Sequence, residues 1–239
     1  MLNRIVYQSS DGQIIAPRLA HLLITTFDTW LPHQRSNAAD DLVQQAIDRR
    51  DLPQNTLVIR HLPIDNITAS QPVCNYIDRF RPAVVLCCGM AESRSCLSLE
   101  RQAHLHGHTR QTMIPLKTWC NGLPVTEISH DAGQFVCNDL YYHVLERCAA
   151  LTAIEHPPAQ SRSPNAAQAI DQPSPTPIAA ISGISGISEI MAIASHALFL
   201  HVPPLTSANR LAYAQDFASI ITACQTLTAV APASLQPRL

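Results

Sequence analysis

Short apolar runs divide the first half of the chain, and each has the length and composition of a buried β-strand. The runs are HLLITTF at 21–27, TLVIRHLPI at 56–64 and AVVLCCG at 83–89, and a fourth run, ALFLHV, follows at 197–202. Their apolar residues are continuous rather than alternating with polar ones, which is typical of strands covered on both faces. We therefore predict a sheet with both faces buried.

Stretches with helical periodicity lie between and after these runs. The predicted helices cover 37–50, 70–80, 138–151 and 207–230. The first has Ser36 or Asn37 in position to cap its N-terminus and acidic residues in its first turn. Strands that alternate with helices at this spacing predict βαβ units and a largely parallel sheet. Ligands bind at the carboxyl ends of the strands in such sheets, so we expect the functional site there.

The chain length favours a single domain. With 239 residues the sequence is long enough for one sizeable α/β domain covering 1–239. Between about 155 and 180 it is rich in Pro, Ser, Ala and Gln, which is the composition of a flexible insertion. The repeat ISGISGISEI at 181–190 is too short to indicate a solenoid. We predict no regular structure for the insertion.

Composition narrows the partners and the compartment. Hydrophobic residues make up 46% of the chain, charged residues 14%, and the net charge is near −2. No dense cluster of Lys and Arg is present, so we do not expect a nucleic-acid partner. The first residues lack a signal-peptide pattern and no apolar stretch approaches about 18 residues, so we expect a cytoplasmic protein with no membrane partner. The eight cysteines include no CxxC pair, and we expect reduced thiols.

Cys137, His201 and Glu100 are candidates for nucleophilic chemistry. Cys137 lies at or just before the N-terminus of the helix predicted at 138–151, where the helix dipole favours a thiolate. His201 stands near the end of the strand predicted at 197–202, and Glu100 is one of several acids able to orient an imidazole. Each residue also has a structural interpretation, as a buried core thiol, a core or rim histidine, and an exposed helical glutamate in a surface ion pair. The residue pattern alone does not choose between these interpretations.

The segment HLHGH at 104–108 places three histidines at alternate positions, a spacing that can bind a metal ion on a strand. No further ligand pattern stands nearby, and a polar loop explains the segment more simply. We therefore predict no metal site in this segment.

Four segments carry the motifs of one enzyme family, in that family's order. They are LLITTFDTW at 22–30, VVLCCGMAESRSCLSLERQA at 84–103, DAGQFVCNDLYY at 131–142 and FLHVP at 199–203. In these segments the chain resembles the type I pyroglutamyl peptidases (pyrrolidone-carboxylate peptidases), cysteine peptidases that remove an N-terminal pyroglutamate. The third segment is the most specific, because it is close to the family's nucleophile motif Ala-Gly-x-Phe-Val-Cys-Asn. The resemblance implies a three-layer α/β/α sandwich with a mixed, mostly parallel sheet, no cofactor, and a homo-oligomer as one option.

The resemblance also implies roles for individual residues. Cys137 would be the nucleophile, His201 its general base and later acid, and Glu100 the residue that orients His201. The backbone N–H groups of Arg110 and Cys137 would form the oxyanion hole. The positions that correspond to the pocket for the flat pyrrolidone ring are Phe27, Trp30, Met90, Phe135 and Val136. The implied substrate is a peptide with an N-terminal pyroglutamate, or a related small amide.

Several positions depart from the family's pattern. Glu92 and Ser93 stand where the family has two glycines, and Met90 replaces a residue that is often polar. Cys137 follows Glu100 by only 37 residues, fewer than is usual in the family. These departures leave two alternatives open: a non-catalytic pseudo-enzyme of the same fold that binds a small ligand or a partner, and an amidase with altered acyl specificity.

Overall fold

The computed structural model describes residues 5–7, 21–155 and 195–227. The strands are β1 (Ile5–Tyr7), β2 (Leu22–Phe27), β3 (Thr56–Leu62), β4 (Val84–Met90), β5 (Leu97–Glu100), β6 (Gln102–Leu105), β7 (His108–Gln111), β8 (Thr126–Ser129) and β9 (His196–Val202). The helices are α1 (Ala38–Arg49), α2 (Ser70–Phe80), α3 (Leu116–Cys120), α4 (Val136–Glu155) and α5 (Arg210–Thr226). Apart from residue 155, the predicted insertion and the repeat at 181–190 lie outside the described residues.

A seven-stranded sheet in the order β1-β3-β2-β4-β9-β5-β8 forms the middle of the fold. Strands β3, β2, β4 and β9 are parallel neighbours and correspond to the four apolar runs of the sequence. On one side β1 pairs antiparallel with β3, and on the other β5 pairs antiparallel with β9 and parallel with β8. The prediction of a mixed, mostly parallel sheet is therefore confirmed.

Helices cover both faces of this sheet. Helices α1, α3 and α5 pack on one face, whereas α2 and α4 pack on the other. Successive residues of a strand point to opposite faces, so in β4 Leu86 and Cys88 enter the first core cluster while Val85 and Cys87 enter the second. Burial on both faces explains why the runs are continuously apolar, and the predicted three-layer α/β/α sandwich is confirmed.

The predicted helix starts agree closely with the structure. Asn37 caps α1, and its side-chain oxygen accepts hydrogen bonds from the N–H groups of Ala39 and Asp40 at 3.0 and 3.4 Å. Helix α2 covers the predicted residues 70–80, and α4 begins at Val136, so Cys137 lies in its first turn. None of the described helices is both long and apolar enough to cross a membrane.

A buried ion pair ties α1 to the sheet. Asp40 of α1 accepts two hydrogen bonds from the guanidinium of Arg60 on β3, at 2.7 and 2.6 Å, and a third from the hydroxyl of Thr26 on β2, at 2.7 Å. Both charged side chains are largely buried, with exposed fractions of 14% for Arg60 and 8% for Asp40. This pair fixes α1 against the carboxyl ends of β2 and β3.

The segment between β4 and β8 differs from the sequence-based interpretation. All four residues of β5 are buried, so the interpretation of Glu100 as an exposed helical residue is wrong. The HLHGH segment is not a simple polar loop, because it forms the end of β6, a turn and the start of β7, and His104 Nδ1 lies 2.9 Å from Thr109 Oγ1 across this hairpin. In the described part of the chain, no group of three or more His, Cys, Asp or Glu residues is arranged to hold a metal ion.

Candidate active site

Strand register brings Glu100 and His201 together. In the antiparallel pairing of β5 with β9, Ser98 faces His201 and Glu100 faces Phe199. Paired residues, and residues two apart on a strand, point to the same face of a sheet. His201 and Glu100 are therefore diagonal neighbours on the face that α4 covers, and His201 Nδ1 lies 2.7 Å from Glu100 Oε1.

The Glu100 carboxylate is buried completely. Its Oε1 atom contacts both His201 and Arg94 Nη2, the latter at 2.9 Å, whereas its Oε2 atom has no hydrogen-bond partner among the described residues. The hydroxyl of Tyr141 donates a hydrogen bond of 2.9 Å to the Glu100 backbone carbonyl and holds the strand end against α4. A carboxylate at this depth is tolerated only when it is paired, and Arg94 supplies a permanent positive charge.

Gly89 provides the space in which the Cys137 thiol sits. Gly89 of β4 is paired with His201 of β9, and neighbouring strands are about 4.8 Å apart. A Cβ atom on Gly89 would lie only 2.8 Å from Cys137 Sγ, so the sulfur rests directly over the glycine. The thiol is therefore one strand away from the imidazole, on the same face of the sheet.

The surroundings of Cys137 keep the thiol protonated at rest. Burial, with smaller contributions from the Cys87 and Glu100 side chains, raises its pKa to about 12, and the backbone N–H of Cys137 partly opposes this rise. Within the described residues no hydrogen bond joins the thiol to the His201 imidazole. A thiolate therefore forms at neutral pH only if an acceptor takes the proton, and catalytic hydrogen bonds often become short only when substrate is bound.

A cavity of about 470 Å³ opens above these side chains, at the carboxyl ends of β2, β4 and β9. Its size lies within the range of small-molecule sites. The predicted pocket residues Phe27, Trp30, Met90, Phe135 and Val136 all line it, together with Cys137 and His201. The location that the strand-end rule predicts thus coincides with the residues that the sequence motifs predict.

The aromatic residues of the cavity differ in burial. The Trp30 and Phe135 rings are 5.1 Å apart, tilted by 43°, and 55% and 44% exposed, so they form an open aromatic wall. Phe27 is only 1% exposed and packs against Phe199 at 6.5 Å. Phe27 therefore belongs to the core and to the cavity lining, whereas Trp30 and Phe135 are free to contact a ligand.

Met90 has a structural contact besides its place in the lining. Its sulfur accepts a hydrogen bond of 3.2 Å from the N–H of Ala38, at the first residue of α1. Beside it, the side-chain amide of Asn37 donates to the Asp28 backbone carbonyl at 3.2 Å. The loop after β2, which carries Trp30, is thereby attached to the N-terminus of α1.

Arg110 lies away from the cavity lining. It is on β7, paired with Ala103, and its guanidinium contacts Glu146 of α4 at 2.7 Å and lies 5.7 Å from the Tyr142 ring centroid. The first turn of α4 does supply N–H groups without intrahelical acceptors, including that of Cys137. A role for the backbone N–H of Arg110 in an oxyanion hole stays a prediction.

Sequence reasoning missed Arg94 and Asn138. Asn138 accepts a hydrogen bond from the His104 N–H at 2.8 Å and donates one to the His104 carbonyl at 2.6 Å, which clamps the β6-β7 hairpin to α4. Both residues stand inside segments that resemble the peptidase family, Asn138 directly after Cys137 and Arg94 six residues before Glu100. Their positions inside these segments could have marked both residues as candidates for the site, although nothing in the sequence indicates which groups they contact.

Comparison with known proteins identifies the fold. No protein-family model matches the chain, and no curated protein matches its sequence. Among solved structures it is similar to pyroglutamyl peptidase I from Bacillus amyloliquefaciens, with a TM-score of 0.58 and 15% identity over 88% of this chain and 98% of that chain. It is also similar to a variant pyrrolidone carboxyl peptidase from Pyrococcus furiosus, with a TM-score of 0.58 and 15% identity over 86% of this chain and 98% of that one.

A third similar structure is the pyrrolidone carboxyl peptidase from Thermococcus litoralis, with a TM-score of 0.54 and 16% identity over 91% of this chain and 100% of that chain. The chain therefore has the α/β/α fold of the pyroglutamyl peptidases. At this level of identity the likeness establishes the architecture, and the chemistry has to be argued from the site.

Proposed function

We propose that this protein is a divergent cysteine peptidase of the pyroglutamyl peptidase I type, which hydrolyses the amide bond after an N-terminal pyroglutamyl group. The observation that carries the proposal is the buried Glu100–His201 pair, with 2.7 Å between Oε1 and Nδ1, directly beside the Cys137 thiol at the base of an aromatic-lined cavity. The peptidase fold and the motif around Cys137 support the same assignment.

His201 acts as the general base in this mechanism. Its Nδ1 atom faces Glu100, which leaves Nε2 as the nitrogen able to accept the Cys137 proton. Glu100 holds the ring in that orientation and stabilises the imidazolium that forms. Because burial raises the pKa of the Cys137 thiol to about 12, the base is required for reaction at neutral pH.

The Cys137 thiolate then attacks the pyroglutamyl carbonyl. The backbone N–H of Cys137, in the first turn of α4, stabilises the negative charge that develops on the carbonyl oxygen. His201 returns its proton to the departing amine, and a water molecule hydrolyses the thioester and regenerates the thiol. The Trp30–Phe135 wall offers apolar aromatic faces on which the flat lactam ring can stack.

The direct test is release of a fluorophore from a pyroglutamyl amide by the pure protein. We expect hydrolysis by the wild-type chain and loss of at least about 1,000-fold in kcat/KM for Cys137→Ala and for His201→Gln. A proline amide of the same fluorophore, which lacks the lactam carbonyl, is the control substrate. Hydrolysis that survives Cys137→Ala would exclude the mechanism.

A non-catalytic pseudo-enzyme is the second candidate, and a specific observation favours it. The loop after β4 carries Glu92 where the resemblance leads one to expect glycine, and Glu92, which lines the cavity, is hydrogen-bonded at 3.0 Å to both His33 and Gln34. If no pyroglutamyl or other N-acyl amide is hydrolysed while pyroglutamate protects Cys137 from alkylation, the binding function is correct. Hydrolysis of a different N-acyl amide would instead identify the amidase. A peptide substrate and homo-oligomer assembly stay predictions.

A further inference from the structure

We propose that Arg94 is a positioning residue, whose hydrogen bonds hold the Glu100 carboxylate in place and whose positive charge acts on the Glu100–His201 pair. The inference rests on the proposed role of this pair as the base for Cys137. It concerns a residue that has no substrate contact in the mechanism above.

Arg94 bridges three parts of the site. Its Nη2 atom lies 2.9 Å from Glu100 Oε1, donates to Ser129 Oγ at 3.1 Å, and donates to the Asp131 backbone carbonyl at 2.7 Å. Ser129 ends β8, and Asp131 lies in the connection that leads into α4. One guanidinium therefore joins the carboxylate to the segment from which the Cys137 helix begins.

The bridge is largely shielded from water. The Arg94 side chain is 21% exposed and Glu100 is 0% exposed, so solvent screens the contact between their charges only weakly. Arg94 and His201 share one oxygen of Glu100, whereas Oε2 has no partner among the described residues. Arg94 carries a permanent positive charge, so it balances the Glu100 carboxylate independently of the charge on His201.

Other ionisable groups also face the pair, from every element packed against it. They are Glu127 on β8, Cys137 and Tyr141 on α4, and Cys87 on β4. Glu127 is 53% exposed and lies 3.7 Å from the other guanidinium nitrogen of Arg94, so water screens its charge far more. In this set Arg94 is the permanently charged cation that contacts the carboxylate.

A positive charge beside a proton-binding pair lowers the affinity of that pair for protons. The acidic half-point is the pH, on the acid side of the profile, at which the rate falls to half of its maximum. Removal of the charge in Arg94→Gln should therefore move this half-point upward by about one pH unit or more. Arg94→Lys keeps the charge but loses the planar fork that reaches several acceptors, so it should lower kcat and leave the half-point in place.

The experiment measures two pH profiles for the wild type, Arg94→Gln, Arg94→Lys and the control Glu127→Gln. One is kcat/KM for the pyroglutamyl amide. The other is the rate at which iodoacetamide alkylates Cys137, resolved from the other thiols by mass spectrometry. The second profile needs no turnover, so absence of hydrolysis would overturn the proposed function while alkylation still tests Arg94.

We expect the acidic half-point of both profiles to rise by about one pH unit or more in Arg94→Gln and to stay in place in Arg94→Lys and Glu127→Gln. A residue that only shapes the loop would lower the rates without moving the half-points. Unchanged half-points in Arg94→Gln would therefore overturn the proposal, as would an equal shift in Arg94→Lys. If Arg94→Gln does not fold, Arg94→Met, which also removes the charge but keeps a long side chain, takes its place, and unchanged half-points in that variant would overturn the proposal.

Discussion

Gly89→Ala tests whether the contact between β4 and the Cys137 thiol is essential. The added Cβ would lie 2.8 Å from Cys137 Sγ and 2.9 Å from Phe199 Cζ, whereas ordinary contacts begin at 3.4 Å. The sulfur, the Phe199 ring or the strand must therefore move by about 0.6 Å, the difference between those separations. Gly89 is not in the left-handed region, so the backbone itself accepts alanine and the effect comes from crowding.

Both the stability and the activity of Gly89→Ala should fall. Overpacking in a core costs about 1 to 3 kcal/mol in the free energy of unfolding, and each kcal/mol lowers Tm by about 2 to 4 °C in a chain of this size. Misplacement of a reacting group by about 1 Å costs up to about 100-fold in rate, so we expect kcat/KM to fall by about 10- to 100-fold. Thermal unfolding, hydrolysis of the pyroglutamyl amide and alkylation of Cys137 measure these effects.

Cys88→Ala is the matched control. Cys88 directly precedes Gly89 on the same strand, is 0% exposed, and points into the core cluster on the opposite face. Its truncation should cost about 1 kcal/mol in stability and leave the activity intact. Wild-type kcat/KM in Gly89→Ala, or a loss no greater than that of Cys88→Ala, would refute the reasoning.

Two further predictions concern stability. Burial raises the pKa of the Cys87, Cys137 and Cys224 thiols to about 12 from an ordinary value near 9, so folding favours their protonated forms. The free energy of unfolding should therefore fall by about 1 kcal/mol per thiol between pH 8 and pH 10. Urea unfolding at the two pH values measures this fall, and equal stabilities would contradict the prediction. Burial raises the pKa of Asp40, but hydrogen bonds from Arg60 and Thr26 hold it below the ordinary value of 3.8. Arg60→Leu should therefore lower the free energy of unfolding by about 3 to 5 kcal/mol at pH 7. The loss should be smaller at pH 4, where the unpaired Asp40 carboxyl becomes protonated. A deficit in Arg60→Leu that is the same at both pH values would exclude the ion pair as its cause.

The apolar pattern predicted the central strands because the burial of each one is visible in its own residues. The four parallel strands are buried on both faces, so each is a continuous apolar run, and the capping residue Asn37 marks the start of α1. Strand β5 gave no such signal. Its four residues, LSLE, are too few to show a period, and their burial depends on the strands that flank them, β9 and β8.

The sequence predicted which residues form the candidate site, but not which of their side chains contact one another. Family motifs indicated Glu100, Cys137 and His201, and the register of β5 with β9 then accounts for the contact of two of them. No local pattern encodes that register, because it depends on antiparallel pairing between segments about 100 positions apart in sequence. The same holds for Arg94, whose contacts reach β5, β8 and the connection to α4.

The position of β9 has a consequence for the order of folding. This strand follows every other described strand in the chain, yet it lies inside the sheet between β4 and β5. Until residues 196–202 are in place, β4 and β5 have no common neighbour, Gly89 has no partner on that side, and Glu100 has no histidine to hold. The pairing that completes the sheet therefore also completes the candidate site, so a partly folded chain carries the Cys137 thiol without the Glu100–His201 pair beside it.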